Sequence, residues 1–229
     1  GIDNARKNLL KFRVDVRLCD VDKQFYLDYI DWLRCSCKTV WGKPVSPKTA
    51  HSYYTTLRTA LNEAVRENLI ASNPWYRLEM TEKIKVPESK RDFLTIEEIK
   101  RMMATPFFNE QVRQAYLFSC FCGLRISDIR KLRWRDLSMS GGQWRASVVM
   151  TKTIHPVYIP LSSQAVKWLP ERGDCTPDGL VFGGLPNEGN LCVNLKNWAE
   201  KAGVKKNVTF HTARHSCAVL LLTLGADIY

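Results

Sequence analysis

The chain predicts a mainly α fold with one small antiparallel β-sheet, an α+β protein in two domains. Three observations carry this. Apolar residues recur at helical spacing through most of the 229 residues. Residues 77–92 are polar, charge-rich, interrupted by Pro87 and free of sustained periodicity, as a linker is. Beyond them, three short runs separated by turn residues read as strands. The expected division is a small helical domain at 1–76, a linker at 77–92 and a larger domain at 93–229.

In the first domain, Phe25, Tyr26, Tyr29, Ile30 and Leu33 form one stripe, predicting an amphipathic helix from about Asp20 to Cys35. Gly42-Lys43-Pro44 breaks the chain. Ser46 before Pro47 is an N-cap and first-turn pair, starting a longer helix along Tyr53, Tyr54, Leu57, Ala60, Leu61, Ala64 and Val65. Asn73-Pro74-Trp75 ends it. Most of these stripes are bundle core; Lys43, Lys48 and Arg58 are candidates for exposed phosphate contacts.

In the second domain, Thr95 with Glu98 three residues on forms a capping box. Gln111 to Cys122 is an apolar helix, and Arg125 opens an amphipathic one. Strands are expected at Trp134–Met139, Gln143–Met150 and Val157–Leu161. Gly141-Gly142 makes the first turn, and Lys152-Thr153-Ile154-His155 the second. Helices over Ser162–Trp168, Glu188–Ala202 and Thr212–Leu224 complete the set.

Thirty-four Lys and Arg against 23 Asp and Glu give a net charge of +11. Such a balance favours polyanions. It is spread evenly: residues 1–92 carry 17 basic and 12 acidic side chains, and 93–229 carry 17 and 11. Both halves are thus expected to meet the same polyanion. No apolar stretch reaches the roughly 18 residues of a membrane span, and no signal-peptide pattern opens the chain. The eight cysteines fall mostly inside apolar helical patterns, predicting reduced core thiols and a cytoplasmic setting. Cys35-Ser36-Cys37 and Cys120-Phe121-Cys122 lack zinc-ligand spacing, so no metal is expected.

Two motifs carry chemistry. In Gly123-Leu124-Arg125-Ile126-Ser127-Asp128-Ile129, an arginine at a helix start in apolar surroundings needs an anion or carboxylate partner. Asp128, Asp136 or a phosphate would each serve. In His211-Thr212-Ala213-Arg214-His215, imidazole and guanidinium at i and i+3 share a face at a helix start, where backbone N–H groups favour an anion. A lone histidine there is commonly a cap; a histidine and arginine leading an apolar helix favour a functional site. Lys152, in Thr151-Lys152-Thr153, lies between the two motifs in the chain, and by itself reads as an exposed turn lysine.

These residues, in this order, resemble the tyrosine recombinase (phage and transposon integrase) family. The resemblance implies a helical core-binding domain at 1–76 and a catalytic domain at 93–229. It implies that Arg125 and Arg214 clamp the scissile phosphate, with Asp128 supporting the arginine pair. Lys152 would act as general acid and His211 would assist proton transfer, without a cofactor. The implied activity is site-specific breaking and rejoining of DNA for a mobile element through a 3′-phosphotyrosyl intermediate, in a bacterial cytoplasm. The implied partners are double-stranded DNA and further copies assembled on paired sites. A type IB topoisomerase-like enzyme and a non-catalytic DNA-binding regulator are the alternatives. The family's Leu-Gly-His motif and nucleophilic tyrosine follow the second arginine motif. Tyr229, fifteen residues after Arg214 and just past Gly225-Ala226-Asp227, comes too early to match that tyrosine. The chain is therefore expected to be a fragment without its nucleophile, inactive alone.

Overall fold

The computed structural model describes residues 2–86, 88, 91–149 and 156–226. It divides into two compact units, Gly1–Ser89 and Lys90–Tyr229. The first consists of helices α1 (Ile2–Phe12), α2 (Lys23–Cys35) and α3 (Pro47–Arg66), closed by a 3-10 turn at Pro74–Arg77. Helix α2 starts at Lys23, later than the expected Asp20, because Leu18–Asp20 forms a separate 3-10 turn, and α3 starts where expected; both starts are side-chain caps. Asp22 accepts from Phe25 N–H before α2, and Ser46 accepts from Thr49 N–H before α3, with Pro47 in the first turn. Phe25, Tyr26, Tyr29, Ile30 and Leu33 face Tyr54 and Leu61 in the unit's core. Within the segment expected to link the domains, Leu78 and Ile84 are buried in this same cluster.

Buried Asn73 ties the unit together. Its amide donates to the Arg58 carbonyl (3.0 Å) and to Asn62 Oδ1 (2.7 Å), while its Oδ1 accepts from Trp75 N–H (3.0 Å). Helix α1 is an addition to the sequence reading. Its apolar positions Ile2, Ala5, Leu9 and Phe12 are spread thinly among charges, and only Ala5 of these is fully buried.

The second unit is mainly helical around a three-stranded antiparallel sheet. Its elements are α4 (Ile96–Ala104), α5 (Glu110–Cys122), α6 (Ile126–Ile129), β1 (Leu137–Ser140), β2 (Gln143–Val149), β3 (Pro156–Pro160), α7 (Ser163–Lys167), α8 (Glu188–Lys201) and α9 (Phe210–Thr223). The strands lie in the order β1-β2-β3. Gly141 and Gly142, at φ +57° and +75°, form the tight turn that pairs Ser140 with Gln143. Two successive positive φ values match the twist of a two-residue hairpin and favour glycine. On β2, Ala146 and Val148 face inward while Gln143, Arg145 and Val149 are exposed.

The Thr95–Glu98 capping box forms as expected, with Thr95 N–H donating to Glu98 at 2.8 Å and Glu98 N–H to Thr95 Oγ1 at 3.3 Å. Helix α5 carries the core. Val112, Ala115, Tyr116, Leu117, Phe118 and Cys120 are fully buried, and α5 packs against α9 and α7. Trp198 of α8 stacks on Phe107 and meets Tyr116 edge-on, and its indole donates to the Thr105 carbonyl at 3.0 Å.

The structure corrects several expectations. The first strand starts at Leu137, because Asp136 accepts from Arg133 N–H (2.9 Å) and winds Trp134–Asp136 into a 3-10 turn. The Arg125 helix is a single turn. The four exposed cysteines Cys19, Cys35, Cys175 and Cys192 are not core thiols, although all eight are free. The second hairpin turn, with Lys152, lies outside the described residues. Among the described residues, no helix is long and apolar enough to cross a membrane.

Candidate active site

The first arginine motif is built on a helix end. Gly123 terminates α5 at φ +70°, its N–H donating to the Ser119 carbonyl at 2.9 Å. A left-handed residue there reverses the chain and favours glycine. A Cβ on Gly123 would also lie 3.3 Å from Cys217 Sγ of α9, so the missing side chain lets α9 approach. Buried Ser119 then donates to the Leu124 carbonyl at 2.9 Å. Leu124, Ile129 and Leu132 anchor the following turn in the core. Arg125 is left as the N-cap of α6, half-buried, its carbonyl accepting from Asp128 and Ile129 N–H at 3.0 Å each.

The Arg125 guanidinium makes no ion pair or hydrogen bond among the described residues. Neither carboxylate open to it from the sequence takes it. Asp136 is engaged by Arg133 N–H and lies near Arg135. Asp128 is buried; one oxygen accepts from the Ser127 hydroxyl at 3.2 Å, and Oδ2 is buried without a partner among the described residues. Asp128 is thus unpaired with either arginine in this state.

The second motif opens α9. Thr209 caps the helix and Thr212 answers it, with Thr212 N–H donating to Thr209 Oγ1 at 3.3 Å and Thr209 N–H to Thr212 Oγ1 at 3.1 Å. Buried Ser216 fixes the next turn, donating to the Thr212 carbonyl and accepting from Leu94 N–H, both at 2.7 Å. From this frame Arg214, half-buried, reaches across and donates through Nη1 to the Gly123 carbonyl at 2.6 Å. That bond joins the two motifs across 91 residues of chain, two residues before Arg125. His211 is exposed on the first turn, and its ring lies 6.5 Å from that of His215.

The electrostatics add two residues that the sequence reading had not assigned. The pKa of His215 is held below the ordinary histidine value, first by burial, then by the positive fields of Arg91, His211 and Arg214. His215 directly follows Arg214 and was open to assignment. Arg91 stood in a charged stretch read as linker, where no pattern marked it.

The structure therefore brings the Arg125 and Arg214 segments together, with His211 and His215 on the same helix as the second arginine and the charge of Arg91 felt at His215. Among the described residues the Arg125 guanidinium is unpaired and Arg214 has one N–H engaged, leaving planar donor forks suited to an oxyanion. Lys152 lies outside the described residues. In the first unit, Lys43 and Lys48 are exposed as expected. Arg58 is instead half-buried, its guanidinium 4.7 Å from the Trp75 ring centre, because packing on the indole draws it inward. Among the described residues, no cluster of three His, Cys, Asp or Glu is placed to hold a metal ion.

A helical unit followed by a helical unit with a small sheet and two joined arginine motifs is the fold of the integrases. Residues 92–229 match the phage integrase family, and residues 2–85 match the phage integrase SAM-like domain. The chain belongs to the phage integrase family of tyrosine recombinases. A tyrosine recombinase of Thermosipho africanus is 30% identical over 98% of this chain and 82% of its own length. Tyrosine recombinase XerD of Pseudomonas putida is 25% identical over 93% of the chain and 72% of its own. Among solved structures, a lambda integrase dimer bound to a COC′ core site superposes with a TM-score of 0.72 at 19% identity, over 99% of this chain and 80% of that one. The Tn1549 transposon integrase in complex with transposon right end DNA gives 0.71 at 17%, over 98% and 82%.

Proposed function

We propose that the protein is a site-specific DNA recombinase of mobile-element integrase type, with residues 1–76 binding DNA, 93–229 carrying the chemistry and 77–92 between them. The observation that carries this is the Arg214–Gly123 hydrogen bond, which gathers both arginine motifs at one place in a chain of this family. Arg125 and Arg214 hold the non-bridging oxygens of one phosphodiester and stabilise the charge that builds at phosphorus during attack. A tyrosine hydroxyl attacks, the P–O5′ bond breaks, and a 3′-phosphotyrosyl ester forms. Lys152 gives its proton to the departing 5′ oxygen, and His211 assists proton transfer. Asp128 supports the arginine pair. Double-stranded DNA as partner follows by likeness from the lambda and Tn1549 integrases, whose solved structures hold DNA, and assembly of further copies on paired sites by likeness from the lambda integrase dimer on a core site and tetramer on a Holliday junction.

Both units being basic, duplex binding is expected to depend strongly on salt. With roughly 6–10 phosphates contacted, affinity falls about 10³- to 10⁵-fold between ~50 and ~200 mM salt. Salt-independent or undetectable duplex binding refutes the reading. Tyr229 lies fifteen residues after Arg214, which sets it apart from the attacking tyrosine. On a nicked suicide duplex run through a denaturing gel, Tyr229→Phe is expected to leave covalent-adduct formation unchanged. A covalent band that disappears with Tyr229→Phe contradicts this.

A further inference from the structure

His215 has no part in the reaction as described above, yet its surroundings are chemically one-sided. The ring is half-buried on the second turn of α9, next in the chain to Arg214 and one turn beyond His211, whose ring lies 6.5 Å away. The segment that enters the second unit is tied to the same part of α9. Leu94 N–H donates to the buried Ser216 hydroxyl at 2.7 Å, and Lys206 Nζ donates to the Phe93 carbonyl at 2.8 Å. Those two bonds hold the segment in place, and the charge of its Arg91 is felt at the His215 ring.

The charged groups that act on this ring are all of cationic type: Arg91 from the entering segment, with His211 and Arg214 from α9 itself. Asp92, beside Arg91, is exposed to solvent, and Lys206 is matched by Glu98 at 2.7 Å. Helix α5, packed on α9, sets neutral groups against it, because burial pushes the pKa values of Tyr116, Cys120 and Cys122 up. Neither His215 nor Arg91 has a side-chain hydrogen bond or ion pair among the described residues. Burial first, and the cationic groups second, hold the His215 pKa below the ordinary histidine value, which leaves the ring uncharged at neutral pH. An anion beside Arg214 opposes that field, and the first turn of α9 favours an anion there as well.

We infer that His215 is a further positioning residue of the reaction: it takes up one proton from solvent as the scissile phosphodiester settles beside Arg214, and the imidazolium, with Arg91, then helps to hold the anion's charge in place. This rests on the reading of Arg214 as a phosphate ligand. The linkage has a definite sign. Proton uptake on binding makes the duplex bind more tightly at low pH. Below the pKa of the free chain the ring is already charged, and above that of the complex it is neutral in both states, so affinity changes only between the two. Duplex affinity is expected to be about 3- to 10-fold higher near pH ~6 than near pH ~8.

The test follows the histidine ring C–H resonances of the whole chain by NMR through pH, with and without a duplex bearing a recombination site. The His215 signal is assigned by elimination with His51→Gln, His155→Gln and His211→Gln, so no variant at His215 has to fold. Its titration midpoint is expected below that of an ordinary histidine in the free chain and to rise when duplex binds. Alongside, His215→Gln is expected to flatten the pH dependence of duplex affinity, whereas a merely structural role would weaken binding alike at every pH. Bound duplex with an unmoved or lowered His215 midpoint overturns the inference and leaves the recombinase reading standing. So does a His215→Gln chain that keeps the full pH dependence. No duplex binding at any pH overturns both.

Discussion

Replacing Gly123 with alanine tests how the two arginine motifs are joined. Gly123 sits at φ +70°, and its carbonyl accepts the Arg214 hydrogen bond. A side chain in the left-handed region costs roughly 1–2 kcal/mol. The new Cβ would lie 3.3 Å from Cys217 Sγ, so α9 must yield by a few tenths of an ångström, and that contact adds to the backbone cost. Gly123→Ala is therefore expected to destabilise the α5–α9 contact by about 1–2 kcal/mol. Hydrogen exchange read by mass spectrometry is the assay: amides of α5 and α9 should exchange about 5- to 30-fold faster. Adding Cys217→Ala relieves the steric part alone, so the double variant should recover partly and keep a residual of about 1 kcal/mol. Unaltered exchange in Gly123→Ala, or full recovery in the double variant, would refute the argument that the left-handed helix end sets the approach of α9.

Three further expectations follow from the same structure. Asn73→Ala removes an amide that satisfies the Arg58 carbonyl, Asn62 and Trp75 N–H, leaving buried partners open; a loss of about 2–4 kcal/mol is expected in urea unfolding of the first unit, monitored by its tryptophans. Glu98 has a folded pKa below its ordinary value: burial opposes this, but Lys206 (2.7 Å) and the Thr95 N–H outweigh it. A depressed carboxylate contributes stability that is present above the ordinary carboxylate range and lost as pH falls through the folded pKa. Glu98→Gln should thus lower the melting temperature at pH 7 and flatten its fall toward pH 3, and a parallel shift at all pH values would contradict this. Arg214→Ala removes both the Gly123 bond and one phosphate donor, so duplex carrying a recombination site should bind with a salt slope smaller by about 1, while Arg214→Lys restores charge but not the planar fork. Equal rescue of site binding and of the α5–α9 exchange pattern by lysine would show that the fork is not needed.

Local signals with a specific chemistry were legible in the sequence. Ser46-Pro47 and Thr95 with Glu98 name helix starts because a side-chain oxygen there has one backbone N–H to satisfy. Gly141-Gly142 names a hairpin because two positive φ values are needed in succession. The two arginine motifs were legible as separate motifs; that Arg214 grips the Gly123 carbonyl was not, since a contact across 91 residues leaves no mark on local pattern. What escaped shares a cause. Helix α1 hides because charges dilute its stripe, and α6 is shorter than its periodicity because the chain turns again at Arg130. Arg58 reads as a surface cation until Trp75, seventeen residues later, folds against it. Arg91 shows its proximity to His215 only in the folded chain, since 124 residues separate them in sequence.

The most direct test of the central claim is a crystal structure of this chain with a duplex bearing its recombination site. The account predicts one scissile phosphate whose non-bridging oxygens lie within hydrogen-bond distance, about 3 Å, of both the Arg125 and Arg214 guanidinium groups. Two arginines bound to different phosphates, or an Arg125 that turns away to a carboxylate, would contradict it.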